Sequence, residues 1–328
     1  MAEQLDPGPF LRGNAFDAVD DIPYPRVPAF DRFRLTPLTW QAATVPAGVR
    51  LELDGDATSV VVHYTTATGE SGVRGDGGGL TFEAWTRDER VDAVAAVVGA
   101  GAAELRLGDR PGPVTIHLPE VMRPRIDGLE PVGGELVPGA EKPRWVAYGD
   151  SILEGWVASA PALAWSARVA RTLDLDVVNL GYAGAARGEI ASAEAVAGLD
   201  ASVVTLSYGT NCWSMIPNSD AMIAAGFDAF LTIVRQGHPT TPLIVVSPIR
   251  RPDAETTPNR LGATLSSLRA TIEDVVATRI PDDPNLVLVR GERLVDDAQL
   301  PDRIHPDDDG HAAIADAVGD AIRTALAP

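Results

Sequence analysis

Over the first 140 residues, short segments alternate apolar and polar positions. Residues 49–53, 59–64, 80–85 and 114–118 are the clearest cases, and Gly, Pro and Asp punctuate them. A period of two places one face of a strand against a core and the other toward solvent. Short strands at close spacing, joined by turn residues, predict an antiparallel sandwich. Residues 75–79, Gly-Asp-Gly-Gly-Gly, form a turn between two such strands and not a dinucleotide loop, because no helical pattern follows them. From Trp145 the pattern changes. Short apolar runs at 145–148, 177–180, 203–206, 243–246 and 286–289 alternate with Ala-rich segments of helical length near 158–174, 187–198, 219–236, 262–279 and 310–326. Strands apolar on both faces and separated by helices predict a parallel sheet covered on both sides, an α/β fold. The Pro- and Gly-rich stretch 131–144 is the expected boundary between an all-β region over 1–140 and an α/β region over 141–328.

Composition narrows the chemistry. The 328 residues include 46 acidic and 27 basic side chains, a formal charge of −19. That balance disfavours nucleic acid or an anionic membrane as a partner for a broad basic face. Lys142 is the single lysine and Pro143 follows it, which excludes a G-x-x-x-x-G-K-[ST] phosphate loop. The single cysteine, Cys212, excludes an intramolecular disulfide and a multi-cysteine metal site. Residues 1–6 show neither a basic start nor an apolar run, so no secretory signal is expected. The longest apolar stretch, 93–103, is about half a membrane span. The expectation is a cytoplasmic protein with no membrane span, and the sequence leaves its oligomeric state open.

The candidate chemistry lies at the ends of the predicted parallel strands, where sheets of this type bind ligands. Gly149-Asp150-Ser151 follows the first, and a serine there can point its hydroxyl into a cleft or merely cap the next helix. Gly181-Tyr182-Ala183-Gly184 follows the second, where a glycine can present a bare backbone N–H. Gly209-Thr210-Asn211 follows the third, where an asparagine amide can donate to a developing oxyanion. Near the C-terminus, Asp302 precedes His305 by three residues, a spacing that lets the carboxylate take one imidazole nitrogen and leaves the other free as a base. Asp307, Asp308 and Asp309 fit the cap and first turn of the last helix, and His311 fits a structural place inside it. His63 and His117 lie in strands with no partner at metal-ligand spacing.

Taken together, these four segments resemble the GDSL or SGNH hydrolase family over roughly residues 144–326. The matching residues are Gly149, Asp150, Ser151 and Gly155, then Gly184, then Gly209 and Asn211, then Asp302 and His305. The resemblance implies a flavodoxin-like three-layer domain and a carboxylic ester hydrolase working through an acyl-enzyme, without cofactor or metal. It implies Ser151 as nucleophile, His305 as general base and acid, and Asp302 as the residue orienting His305. The oxyanion hole would be the N–H groups of Ser151 and Gly184 with the side-chain amide of Asn211. Cys212 departs from the pattern, since the family usually has Asp there; burial is its expected state, not nucleophilic duty.

The preceding sandwich is similar to the jelly-roll-like domain of carbohydrate acetyl esterases, and the same layout occurs among acyltransferases of natural-product tailoring. A small or carbohydrate-like acyl ester is therefore the expected substrate, with transfer to an alcohol acceptor as the alternative outcome. The sandwich could bind glycan or simply dock on its neighbour. Trp156, Tyr182, Arg187, Trp213 and Met215 are candidates to line the substrate cleft.

Overall fold

The computed structural model describes residues 4–68, 79–87, 89–108 and 111–327. Most of the expected turn at 75–79 lies outside them. The N-terminal strands are β1 (Leu11–Arg12), β2 (Arg50–Gly55), β3 (Ser59–Thr66), β4 (Thr81–Trp85), β5 (Arg90–Ala95), β6 (Gly99–Arg106), β7 (Val114–His117), β8 (Pro124–Val132) and β9 (Leu136–Pro138). They pair antiparallel into two sheets. One runs β1-β2-β7-β4-β5 with β9 also on β2, and the other runs β6-β3-β8. In β3 the alternation does what the sequence predicts: Val60, Val62 and Tyr64 are buried and the residues between them are half-buried. Facing side chains from both sheets, among them Leu51, Phe82, Leu105 and Ile116, form one core. The apolar stretch 93–103 is not one element; it divides between β5 and β6.

The parallel strands are β10 (Arg144–Gly149), β11 (Asp176–Gly181), β12 (Val203–Ser207), β13 (Leu243–Val246) and β14 (Leu286–Val289), in the order β11-β10-β12-β13-β14. The helices are α1 (Pro37–Ala43), α2 (Ser151–Glu154), α3 (Trp165–Leu173), α4 (Ile190–Ala197), α5 (Asp220–Gly237), α6 (Leu265–Arg279) and α7 (Asp308–Ala325). Side chains of α4, α5 and α6 pack one face of the sheet. Those of α2, α3 and α7 pack the other. That is why the five runs are apolar but for Asn179 and Thr205, which are hydrogen-bonded to Leu153 O and Trp145 Nε1: both faces are buried. Asp307 caps α7 by accepting from Gly310 N at 2.9 Å, with Asp308 and Asp309 in its first turn, as the acidic run predicts. No helix among the described residues is long and apolar enough to cross a membrane.

The N-terminal residues do not all join the antiparallel core. Val27, Leu35 and Ala43 belong to the core on the α4–α6 side of the parallel sheet. The segment carrying α1 therefore crosses to the α/β region before the chain returns to form β2.

Strand order places the site. The chain goes from β10 to β11 on one side and then to β12 on the other, so the connections leaving these strands diverge above β10. A crevice opens at such a reversal. The loop after β10 lies in the middle of it, flanked by the loops after β11 and β12.

Candidate active site

Ser151 is the first residue of α2, a single turn entered directly from β10. Asp150 caps this turn, accepting from Ile152 N at 3.0 Å, and burial pushes its carboxyl up to about 6. Gly149 allows the tight entry, because a Cβ there would sit 2.5 Å from the Ser207 carbonyl oxygen on β12. The loop before α7 brings His305 to Ser151 across 154 residues of sequence: His305 Nε2 lies 2.8 Å from Ser151 Oγ. His305 Nδ1 lies 2.6 Å from Asp302 Oδ2, and the other Asp302 oxygen accepts from the backbone N–H groups of His305 at 2.7 Å and Ile304 at 2.9 Å. The carboxylate is thus pinned by its own turn before it orients the ring.

Electrostatics favours the working protonation states. Burial pushes the His305 imidazole below its ordinary value, against the upward pull of Asp302. Burial alone would raise the Asp302 carboxyl, but its hydrogen bonds from the His305 ring and backbone outweigh that and hold it low. At neutral pH the pair is a neutral imidazole beside a carboxylate, which can accept a proton from Ser151.

The loops after β11 and β12, which flank β10, carry the two other residues named by the motif. Asn211, in the turn after β12, is buried, and its side-chain Nδ2 has no partner among the described residues. A buried amide without a partner costs free energy in the free protein, so its persistence suits a group that meets its acceptor during reaction. Gly184, in the loop after β11, has φ +68°, and the space a Cβ would occupy is open. Cys212 is fully buried and burial pushes its thiol up to about 12, so it stays a neutral core residue.

The expected cleft residues divide. The Trp156 ring packs on the His305 ring at 5.1 Å between centroids. Val157 beside it adopts φ +68°, a turn that β-branched residues rarely make. His311 holds the Trp156 carbonyl through Nε2 at 3.1 Å, while its Nδ1 accepts from Trp165 N at 3.3 Å; burial presses its pKa to about 4. Its role is structural, as the sequence suggests. Trp213 donates to the Thr257 carbonyl at 2.8 Å and carries the Arg251 guanidinium over its ring at 5.0 Å. Met215 is 75% exposed. Arg187 turns back on its own loop, donating to the carbonyls of Gly184 at 3.0 Å and Ala185 at 2.8 Å. Tyr182 corrects the expectation: it is fully buried, donates to the Arg26 carbonyl at 2.7 Å and packs edge-on to Tyr148, so it belongs to the core and lines no cleft.

Three charged residues near the site escaped the sequence reading. Arg251 lies close enough to His305 to press its pKa down. Glu154 is buried at the end of α2 and accepts from Ala183 N at 3.0 Å. Arg26 is buried against Glu154 at 3.5 Å. Glu154 was visible as an acid closing an otherwise apolar turn; Arg26 carries no local signal.

A parallel sheet of this strand order, with a serine, histidine and aspartate meeting at its carboxyl ends, defines an α/β protein of the serine-hydrolase type. The GDSL-like lipase/acylhydrolase family matches residues 141–323, more than half of the chain, and the protein belongs to that family. In structure the chain is similar to a salicylyl-acyltransferase from a tetracycline biosynthetic pathway, at 23% identity over 98% of this chain and 97% of that one, with a TM-score of 0.84. It is also similar to a protein described as a GDSL-like lipase from Bacteroides ovatus, at 22% identity over 96% and 95% of the two chains, TM-score 0.75. A family two carbohydrate esterase from Clostridium thermocellum aligns at 15% identity over 85% and 92%, TM-score 0.62. No curated protein sequence matches the chain.

Proposed function

We propose that this protein is a serine esterase that cleaves a small, neutral or carbohydrate-like ester through an acyl-enzyme. The observation that carries this reading is the unbroken path from Asp302 through His305 to Ser151, beside an asparagine amide with no partner. Ser151 Oγ attacks the ester carbonyl carbon as His305 Nε2 takes its proton. Asp302 holds the imidazolium that forms. The carbonyl oxygen becomes an oxyanion and is met by Ser151 N–H, Gly184 N–H and Asn211 Nδ2. Collapse expels the alcohol, which leaves with the proton from His305. Water then repeats the sequence on the acyl-enzyme, releasing the acid and restoring Ser151. Trp156, Trp213 and Met215 offer an apolar wall for the acyl or alcohol part. The formal charge of −19 makes a polyanionic substrate unfavourable.

The test is intact mass after exposure to a fluorophosphonate. One adduct at Ser151 is expected, absent in Ser151→Ala and slower to form in His305→Ala. Labelling that persists in Ser151→Ala rejects the mechanism.

A second reading, transfer of the acyl group to an alcohol acceptor, draws its support from the salicylyl-acyltransferase, whose structure the chain follows over nearly its whole length. Product analysis with and without an added alcohol separates the two. Free acid as sole product under both conditions favours the esterase.

A further inference from the structure

The loop that presents Gly184 is held from behind by residues far away in sequence. Arg26 is buried and spends its guanidinium on this task. It donates to the carbonyl of Asn179 at 3.2 Å and to that of Gly181, and it lies 3.5 Å from the Glu154 carboxylate. Its remaining N–H groups donate to Val45 O at 2.5 Å and Ala42 O at 2.7 Å, and its ring contact is with Tyr182 at 5.5 Å. Glu154 in turn accepts from Ala183 N, one residue before Gly184. Tyr182 closes the circuit by donating to the Arg26 carbonyl at 2.7 Å. On the other side of the loop, Thr39 of α1 donates to Glu189 at 2.7 Å. Glu189 also accepts from Tyr148 at 2.9 Å and from Arg187 N at 3.3 Å, and Arg187 pins the Gly184 and Ala185 carbonyls.

We infer that Arg26 and Thr39 are positioning residues for the oxyanion loop, so that the segment around residues 26–43 completes the catalytic machinery of the α/β region. The inference rests on the esterase reading above. The physical argument is that a glycine at positive φ has no side chain to fix its peptide, so the direction of its N–H is set by what anchors its neighbours. Here the anchors are Glu154 on Ala183 N and Arg187 on the following carbonyls, and each is backed by a residue of the N-terminal segment. An arginine suits the place because its planar fork satisfies several carbonyls and a carboxylate together, which a lysine cannot do.

The test uses the full-length chain with 4-nitrophenyl acetate as the probe ester and phenylboronic acid as the mimic of the tetrahedral oxyanion. Arg26→Gln should lower kcat by about 10- to 100-fold with KM changed less than about threefold, because a displaced donor acts on the transition state and not on ground-state binding. The boronate inhibition constant should rise in step with the fall in kcat, and the acid limb of the pH–rate profile should not move. Thr39→Val, which removes the hydrogen bonds of the Thr39 hydroxyl to Glu189 and Thr36, should show the same pattern in smaller measure and covers the case in which Arg26→Gln does not fold. A folded Arg26→Gln or Thr39→Val variant with lowered thermal stability but unchanged kcat and boronate affinity overturns the inference. Failure of the wild-type protein to label at Ser151 with fluorophosphonate is a separate result, which rejects the esterase reading itself.

Discussion

Two buried polar clusters in this molecule use similar residues and differ in what they leave unpaired. The first joins the antiparallel sheet to the parallel one. Arg50 on β2 donates to Glu52 at 2.8 Å and to Asp176, the first residue of β11, at 2.9 Å. Glu52 also accepts from Thr115 at 3.1 Å and Lys142 at 3.3 Å. Burial works against the charges of Arg50 and Glu52, yet their mutual attraction outweighs it: the guanidinium is held above its ordinary value and the carboxyl below. The second cluster is the Ser151–His305–Asp302 path, beside which Asn211 keeps an amide with no acceptor. The paired cluster is a seam whose charges are matched among themselves, with the buried His117 Nε2 of β7 left without a partner beside it. On the proposed reading, the other holds the Asn211 amide for a charge that forms only during reaction, where fixed dipoles act without reorganising. What separates the two is the kind of group: the seam matches full charges to one another, whereas the Ser151 cluster sets a histidine with a free nitrogen against a hydroxyl.

Substitutions in the two clusters should have opposite effects. The largest effect is expected at Asn211. Asn211→Ala should lower kcat on a neutral ester by roughly 10²- to 10³-fold. Its melting temperature should stay close to wild type, because the amide loses no partner in the free protein. A large fall in stability with activity retained would place Asn211 in the seam class. Arg50→Met should do the reverse. It strands Asp176, leaves Glu52 with only Lys142 and Thr115, and should cost about 3 kcal/mol in denaturant unfolding, while kcat of the folded protein stays within a few-fold. A kcat loss as large as that of Asn211→Ala would dissolve the distinction.

The pH dependence sharpens it further. His305 must be neutral to act as base, and its pKa is pressed down by burial against the pull of Asp302, with Arg251 lowering it and Glu154 raising it from nearby. The acid limb of kcat/KM is therefore expected below 6.5, and a limb centred at 7 or above contradicts the assignment. Stability follows two other histidines. Burial presses His117 to about 3, with Arg171 and Arg50 adding to it, and His311 to about 4. At these two positions the unfolded chain binds more protons than the folded one below 6.5, so their contribution is full above that pH and is lost as pH falls toward 4, while Asp150, raised to about 6, works in the opposite direction. The loss is on the order of 3 kcal/mol for each histidine at pH 4. Urea unfolding at pH 7 and pH 4 measures it, and His117→Gln should remove its share of the slope.

Much of this was readable from local pattern. The five apolar runs from Trp145 onward became the five parallel strands, and Ser151, Gly184 and Asn211 stand in the loops where such a sheet builds sites. The alternating segments became antiparallel strands for the same reason: side-chain period follows backbone geometry and needs no distant partner. Tyr182 was misjudged because a tyrosine beside a strand end looks the same in sequence whether its hydroxyl meets substrate or, as here, a carbonyl of a distant segment. The division of residues 93–103 between β5 and β6 is marked in the sequence only by Gly99, whose φ of +85° makes the turn.

By itself, the sequence determined the type of each main element and the short motifs at strand ends, because both depend on residues within a few positions of one another. The tertiary structure alone decided that β11 and β12 flank β10, and that His305 reaches Ser151 across 154 residues. It alone decided that Arg26 reaches the carbonyl of Gly181, 155 residues away, behind the loop that carries Gly184. Such contacts are chosen by the burial of whole faces and by the need of each buried charge for a partner, and neither leaves a mark in any local window of the chain.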